Sequence, residues 1–129
     1  MFTSYFANIK NIKNPLSISQ SPPKWYAGPQ LKMLAPPWAL VDMAHKGLSR
    51  EVYNNEFVRQ VLADLDPREV YDAIVDEYGD DVTLMCFEKL ENPGDFCHRR
   101  IVAEWFEKHL GVEVLEWKAP PKNNSTLTF

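Results

Sequence analysis

Short apolar runs alternate along this chain with longer stretches of helical repeat. Phe2 to Asn8 is aromatic-rich and ends in polar residues, so it reads as a first strand. Leu16-Ser17-Ile18-Ser19 alternates, which predicts a second, short strand over Pro15 to Gln20. Six of the ten prolines then fall between Pro15 and Pro37. Each removes a backbone donor and restricts the residue before it, so this interval cannot be one regular helix. Its apolar anchors (Trp25, Tyr26, Met33, Leu34) predict an ordered, irregular segment, with helical pieces at Leu31 to Leu34 and Trp38 to His45.

From Ser49 the pattern sharpens. Ser49 can cap a helix running to about Leu65 whose apolar face is Phe57, Val58, Val61, Leu62 and Leu65. Asp66 caps the next helix and Pro67 takes its first position. Val70, Ile74, Val75 and Tyr78 form its stripe, and Gly79 stops it. Asp81 to Glu88 is a nearly continuous apolar run, as a strand buried on both faces requires. Phe96 to Leu110 predicts a helix with Ile101, Val102, Trp105, Phe106 and Leu110 inward and Gly111 as its stop. Val112 to Trp117 is a last strand. The order implies a three-layer, Rossmann-like α/β domain with a mainly parallel sheet over residues 1–117, and Asp81 to Trp117 reads as a right-handed βαβ unit. Residues 118–129 read as a disordered polar tail.

Composition narrows the function classes. The 129 residues suit one domain. Fourteen Lys and Arg against 18 Asp and Glu give a net charge of −4, which argues against broad wrapping of nucleic acid and leaves room only for a local basic pocket. No apolar run approaches the roughly 18 residues a membrane span needs. Met1 to Phe6 lacks the basic-then-apolar layout of a secretory signal, so a cytoplasmic setting is expected. In that setting the two cysteines are expected as free thiols. A bridge between Cys86 and Cys97 is sterically conceivable and is set aside on the compartment argument.

Candidate chemistry concentrates where the third strand meets the last helix. In an open parallel sheet, ligands bind beyond the carboxyl ends of the strands. Ser4, Tyr5 and Asn8 end the first strand there, Ser17, Ser19 and Gln20 the second, and Cys86 and Glu88 the third. The following helix opens with Cys97-His98-Arg99-Arg100. A helix N-terminus with arginine suits a phosphate or carboxylate. Two arginines in a first turn also oppose the helix dipole, so Glu88, Asp95 or a bound anion should compensate.

A plainer account fits many of the same residues. Asp95 could cap the helix while Arg99 and Arg100 are solvated or pair with Glu104 and Glu88. Cys86 reads first as a small core residue. Cys97 divides between packing and reactivity, because a thiol at a helix start can have a lowered pKa. His98 reads as functional or locally hydrogen-bonded, and His45 and His109 as surface residues. Zinc on Cys86, Cys97 and His98 would need Glu88 as its fourth ligand, and the spacing lacks any CxxC pair, so neither a metal nor a cofactor is expected. No resolving CxxC, Cys-x5-Arg loop, P-loop or GxGxxG is present. Pro23-Lys24-Trp25-Tyr26 forms a second cluster. Its lysine could grip a phosphate while its aromatics stack a ring, or the aromatics could simply cover the sheet edge.

Leu84-Met85-Cys86-Phe87-Glu88-Lys89 followed by Cys97-His98-Arg99-Arg100 and an amphipathic helix resembles the "domain of unknown function 488" family. The pattern there is a strand ending in Cys-x-Glu, a loop, and Cys-His-Arg at a helix start. Leu16-Ser17-Ile18-Ser19 and Pro23-Lys24-Trp25-Tyr26 resemble its compact members, so the likeness covers roughly residues 2 to 117. It implies a Rossmann-like fold, a polar pocket at Cys86, Glu88, Cys97, His98 and Arg99, and a role around nucleotides or nucleic acids. Ser4-Tyr5-Phe6-Ala7-Asn8 departs from the Gly-His/Ser-Asn motif of longer members.

Taken together, the expected site has Glu88, His98 and Cys97 as catalytic groups. Ser19, Lys24, Trp25, Tyr26, Cys86, Arg99 and Arg100 are the expected ligand-binding groups, for a phosphorylated or nucleotide-like molecule. Hydrolase or transferase chemistry is one reading. A ligand-sequestering or protein-interaction module is the second, and a thiol or metal site the third.

Overall fold

A computed structural model describes residues 1–90 and 96–119 of the chain. Four strands form one parallel sheet: β1 (Phe2–Tyr5), β2 (Pro15–Ser17), β3 (Thr83–Cys86) and β4 (Leu115–Glu116), in the order β2-β3-β1-β4. The helices are α1 (Trp38–His45), α2 (Arg50–Phe57), α3 (Pro67–Tyr78) and α4 (His98–Leu110). The architecture is three-layer α/β, as the element order implies.

The central strand β3 is buried at all four positions, which explains its unbroken apolar sequence. Alternation sends Leu84 into the larger core, with Phe57, Leu62, Ile74, Val102 and Phe106 of the helical layer. Met85 points the other way, into a smaller core with Phe6, Ile12 and Tyr26. The second covering layer is therefore thin: a 3-10 turn (Phe6–Asn11) and the proline-rich loop. Here the expected first strand is cut short. Pairing of β1 with β3 ends at Tyr5 opposite Cys86, and Phe6 turns under the sheet to fill that smaller core.

Local chemistry sets the helix boundaries. Ser49 Oγ accepts from Val52 N at 3.2 Å. Asp66 Oδ1 accepts from the amides of Arg68 (2.8 Å) and Glu69 (3.3 Å), with Pro67 at the first turn. Asp66→Ala is expected to cost about 1 kcal/mol of stability, read from urea unfolding at unchanged slope. Gly79 and Gly111, both at positive φ, end α3 and α4. The helix expected from Ser49 to Leu65 is α2 continued by a π-turn over Val58–Leu62, where Ala63 N bonds to Val58 O at 2.8 Å. The extra residue in that turn lets Phe57 and Leu62, five apart, both face the core and rotates Val58 outward.

Between β3 and β4 the chain crosses through α4, and β1 lies between the two strands it joins. Cys97, rather than Asp95, occupies the N-cap of α4. Asp95, and the tail from residue 120 onward, lie outside the described residues. Among the described residues, no helix is long and apolar enough to cross a membrane.

Candidate functional site

All four strands run the same way, so the carboxyl ends of β2 and β3 open on one edge, beside the start of α4. A cavity of about 560 Å³ lies there. Its floor is Ser19, Gln20, Cys86, Phe87 and Glu88 from the strand ends, with Phe96, Cys97 and His98 from the start of α4. Its far wall is Trp38, Val41 and His45 of α1 and Tyr53 of α2. The lining thus combines four aromatic residues, Trp38, Tyr53, Phe87 and Phe96, with a few polar groups; Tyr53 stacks on Phe57 and Phe87 packs edge-on to Phe6.

The expected residues divide. Ser19, Cys86, Glu88, Cys97 and His98 come together as cavity lining. Ser19 Oγ shares a hydrogen bond with Ser17 Oγ at 3.2 Å. Glu88 is exposed, and its charge, after burial, helps to raise the pKa of Tyr53. Lys24 and Trp25 are exposed and Tyr26 is buried, and none of the three lines the cavity. The Tyr26 hydroxyl donates to Pro29 O at 2.7 Å, and Trp25 and Tyr26 both pack edge-on to Phe6.

The arginines are engaged elsewhere. Arg99 is fully buried. Its Nε and Nη2 grip the Glu116 carboxylate at 3.0 and 2.8 Å, and Nη1 donates to Glu88 O at 2.6 Å and Cys86 Sγ at 3.1 Å. The guanidinium also lies 5.8 Å from the Tyr5 ring centroid. It ties β4 to the end of β3 and carries the loop that holds Glu88. Arg100 Nη1 donates to Thr3 Oγ1 (2.8 Å) and Val114 O (3.0 Å), and Thr3 Oγ1 donates to Glu116 (2.7 Å). Among the described residues Glu116 is the compensating acid: it pairs with Arg99 directly and reaches Arg100 through Thr3.

His98 is buried, and Nε2 lies 2.6 Å from Ile18 O. A carbonyl oxygen only accepts, so Nε2 carries the proton and Nδ1 has its lone pair free. That lone pair faces Cys97 Sγ at 3.7 Å. Burial, outweighing the Ile18 bond and aided by the nearby Arg99 charge, lowers the imidazole pKa to about 4. The ring is therefore neutral over the physiological range. The cysteines depart from the expected free thiols: Cys86 and Cys97 are joined by a disulfide, with Cα atoms 7.4 Å apart. The start of α4 folds back over the end of β3, which brings together two sulfurs that lie eleven residues apart in sequence.

Sequence reasoning missed the far wall. Trp38 is 61% exposed although it opens a helix, and Tyr53 places a hydroxyl in an otherwise apolar helix face. In sequence both look like ordinary members of amphipathic helices, and neither is tied there to the strand ends. His45, read as a surface residue, also lines the cavity.

A parallel sheet covered by helices, with a cavity at its carboxyl edge, defines an open three-layer α/β class of fold. Within that class, the family model DUF488-N3a, "Active DUF488-N3 subclade", matches residues 9–110, and the chain belongs to the DUF488 family. No curated protein and no solved structure matches it.

Proposed function

We propose that the chain binds a nucleotide-like ligand in the cavity at the sheet edge, and that Glu88 acts on it as the acid–base group. The observation that carries this reading is the cavity lining. Trp38, largely exposed, offers a flat face for a planar ring within a lining that also holds Tyr53, Phe87 and Phe96, and Ser19, Gln20 and Glu88 bring polar groups to the same lining. Phosphate oxygens would meet the first amides of α4, since Arg99 and Arg100 are committed to Glu116, Thr3 and backbone carbonyls. Glu88 stands at the strand end with its carbonyl pinned by Arg99, which positions its backbone while its side chain stays exposed.

Thermal unfolding with a panel of nucleosides, nucleotides and phosphosugars tests the binding. A true ligand at a hundred times its Kd stabilises by about 2.7 kcal/mol, and Trp38→Ala should abolish most of that shift. No shift with any member at millimolar concentration sinks the reading. Whether chemistry follows is decided by turnover. Glu88→Gln is expected to bind and to lose product formation. If the ligand is recovered unchanged from wild type, the protein is a sequestering module. The subclade's description as active favours chemistry.

A further inference from the structure

We propose that, when its cysteine pair is reduced, the chain binds a borderline-soft divalent cation such as zinc through Cys86 Sγ, Cys97 Sγ and His98 Nδ1, with a fourth position open to the cavity. The three ligand atoms lie within 4.8 Å of one another. A tetrahedral zinc at about 2.3 Å from sulfur and about 2.0 Å from nitrogen sets those two atoms about 3.5 Å apart. Cys97 Sγ and His98 Nδ1 are 3.7 Å apart.

Four further features fit the assignment. The histidine is already oriented as a ligand: Nε2–H donates to Ile18 O at 2.6 Å, which leaves the Nδ1 lone pair on the sulfur side. Metal-bound histidines characteristically place their second ring nitrogen on a carbonyl or carboxylate in this way. Both sulfurs have support for the thiolate form. Arg99 Nη1 donates to Cys86 Sγ at 3.1 Å, and Cys97 caps the thirteen-residue helix α4, where the dipole favours negative charge. The Cα atoms of the pair are 7.4 Å apart, beyond the usual span of about 4.4–6.8 Å for a disulfide. An ion between the sulfurs would hold them about 3.8 Å apart and suits the wider spacing. Finally, all three ligands line the cavity, so water or a ligand atom could complete the shell, as in zinc sites with three protein ligands. The missing CxxC is replaced by a strand end and a helix start brought together by the fold.

The chemistry balances with a low-molecular-weight thiol as reductant. Two such thiols give two electrons and two protons to the Cys86–Cys97 bond, leaving their own disulfide and two protein thiols. Zinc then displaces both thiol protons into solvent, and its charge is matched by the two thiolates. This assignment is independent of what organic ligand occupies the cavity.

The test uses the full chain, purified with a thiol reductant and without chelator. Elemental analysis should find stoichiometric zinc, and both thiols should resist a thiol reagent until chelator is added. After zinc removal, cobalt(II) should give the thiolate-to-metal charge-transfer absorption of a tetrahedral site. Cys97→Ser should weaken cobalt binding at least roughly tenfold. If that variant fails to fold, the cobalt titration of the wild-type chain decides alone. A folded, reduced chain that holds no zinc and shows no charge-transfer absorption with cobalt overturns the assignment. So does a disulfide that persists in the thiol reductant.

Discussion

Arg99→Ala is expected to destabilise the chain by about 3–5 kcal/mol, the range for breaking a buried ion pair by removing one partner. Arg99 has no exposed side-chain surface, while its partner Glu116 keeps 23%. Removing the guanidinium strips the Glu116 carboxylate of two hydrogen bonds and leaves Glu88 O without its donor. Arg99→Lys should recover little, because an ammonium cannot reproduce the two-pronged grip and also reach the end of β3. Paired replacement by Met and Leu at 99 and 116 should recover much of the loss, since apolar groups of similar volume carry no desolvation cost. Urea unfolding of the three variants measures this. A loss below about 1 kcal/mol for Arg99→Ala would mean the pair behaves as a surface ion pair. The same contacts make a functional forecast. Without Arg99 the loop bearing Glu88 loses its tether, so ligand-induced stabilisation should fall even though Arg99 does not line the cavity.

Arg99 also marks the limit of what was legible in the sequence. That an arginine in a first helical turn needs a compensating acid followed from the dipole. Which acid supplies it depended on β4 docking beside β1, seventeen residues further on. Helix limits were readable because their causes are local: Asp66 with Pro67, Ser49, Gly79 and Gly111 act on their own neighbours. Strand limits were not, because a strand ends where its partner ends. Tyr5 is the last paired residue of β1 only because Cys86 is the last of β3. The π-turn at Val58–Leu62 is set by tertiary packing of Phe57 and Leu62, so the plain helical repeat assigned Val58 to the core. Half of the site was visible as polar residues ending apolar strands. The other half comes from α1 and α2, where Trp38 and Tyr53 look like ordinary members of amphipathic helices until the fold sets them opposite Glu88. Pro23-Lys24-Trp25-Tyr26 follows the second strand directly in sequence, yet its aromatics turn to Phe6 beneath the sheet.

Stability of the disulfide-bonded, metal-free chain is expected to fall by roughly 3 kcal/mol as pH drops from about 6.5 to about 4, on account of His98 alone. The imidazole pKa is lowered from 6.5 to about 4 in the folded chain, chiefly by burial. In that window the unfolded chain binds a proton on this ring and the folded chain does not. The unfolded state holds more protons, so stability rises with pH; its full value is present above about 6.5 and is lost on acidification. Below about 4 the folded ring is protonated too, and this contribution stops changing. His98→Gln isolates the effect, because the amide N–H can still donate to Ile18 O but takes no proton. The variant should lose some stability at neutral pH, through imperfect packing against Phe57, while its stability should change far less between pH 6.5 and 4. Denaturant midpoints across this range compare the two chains, and the ring's proton resonances report the titration directly. Parallel acid limbs for both proteins would assign the loss to carboxylates instead. A His98 resonance titrating near 6.5 would show a ring open to solvent, at odds with its burial and its hydrogen bond to Ile18.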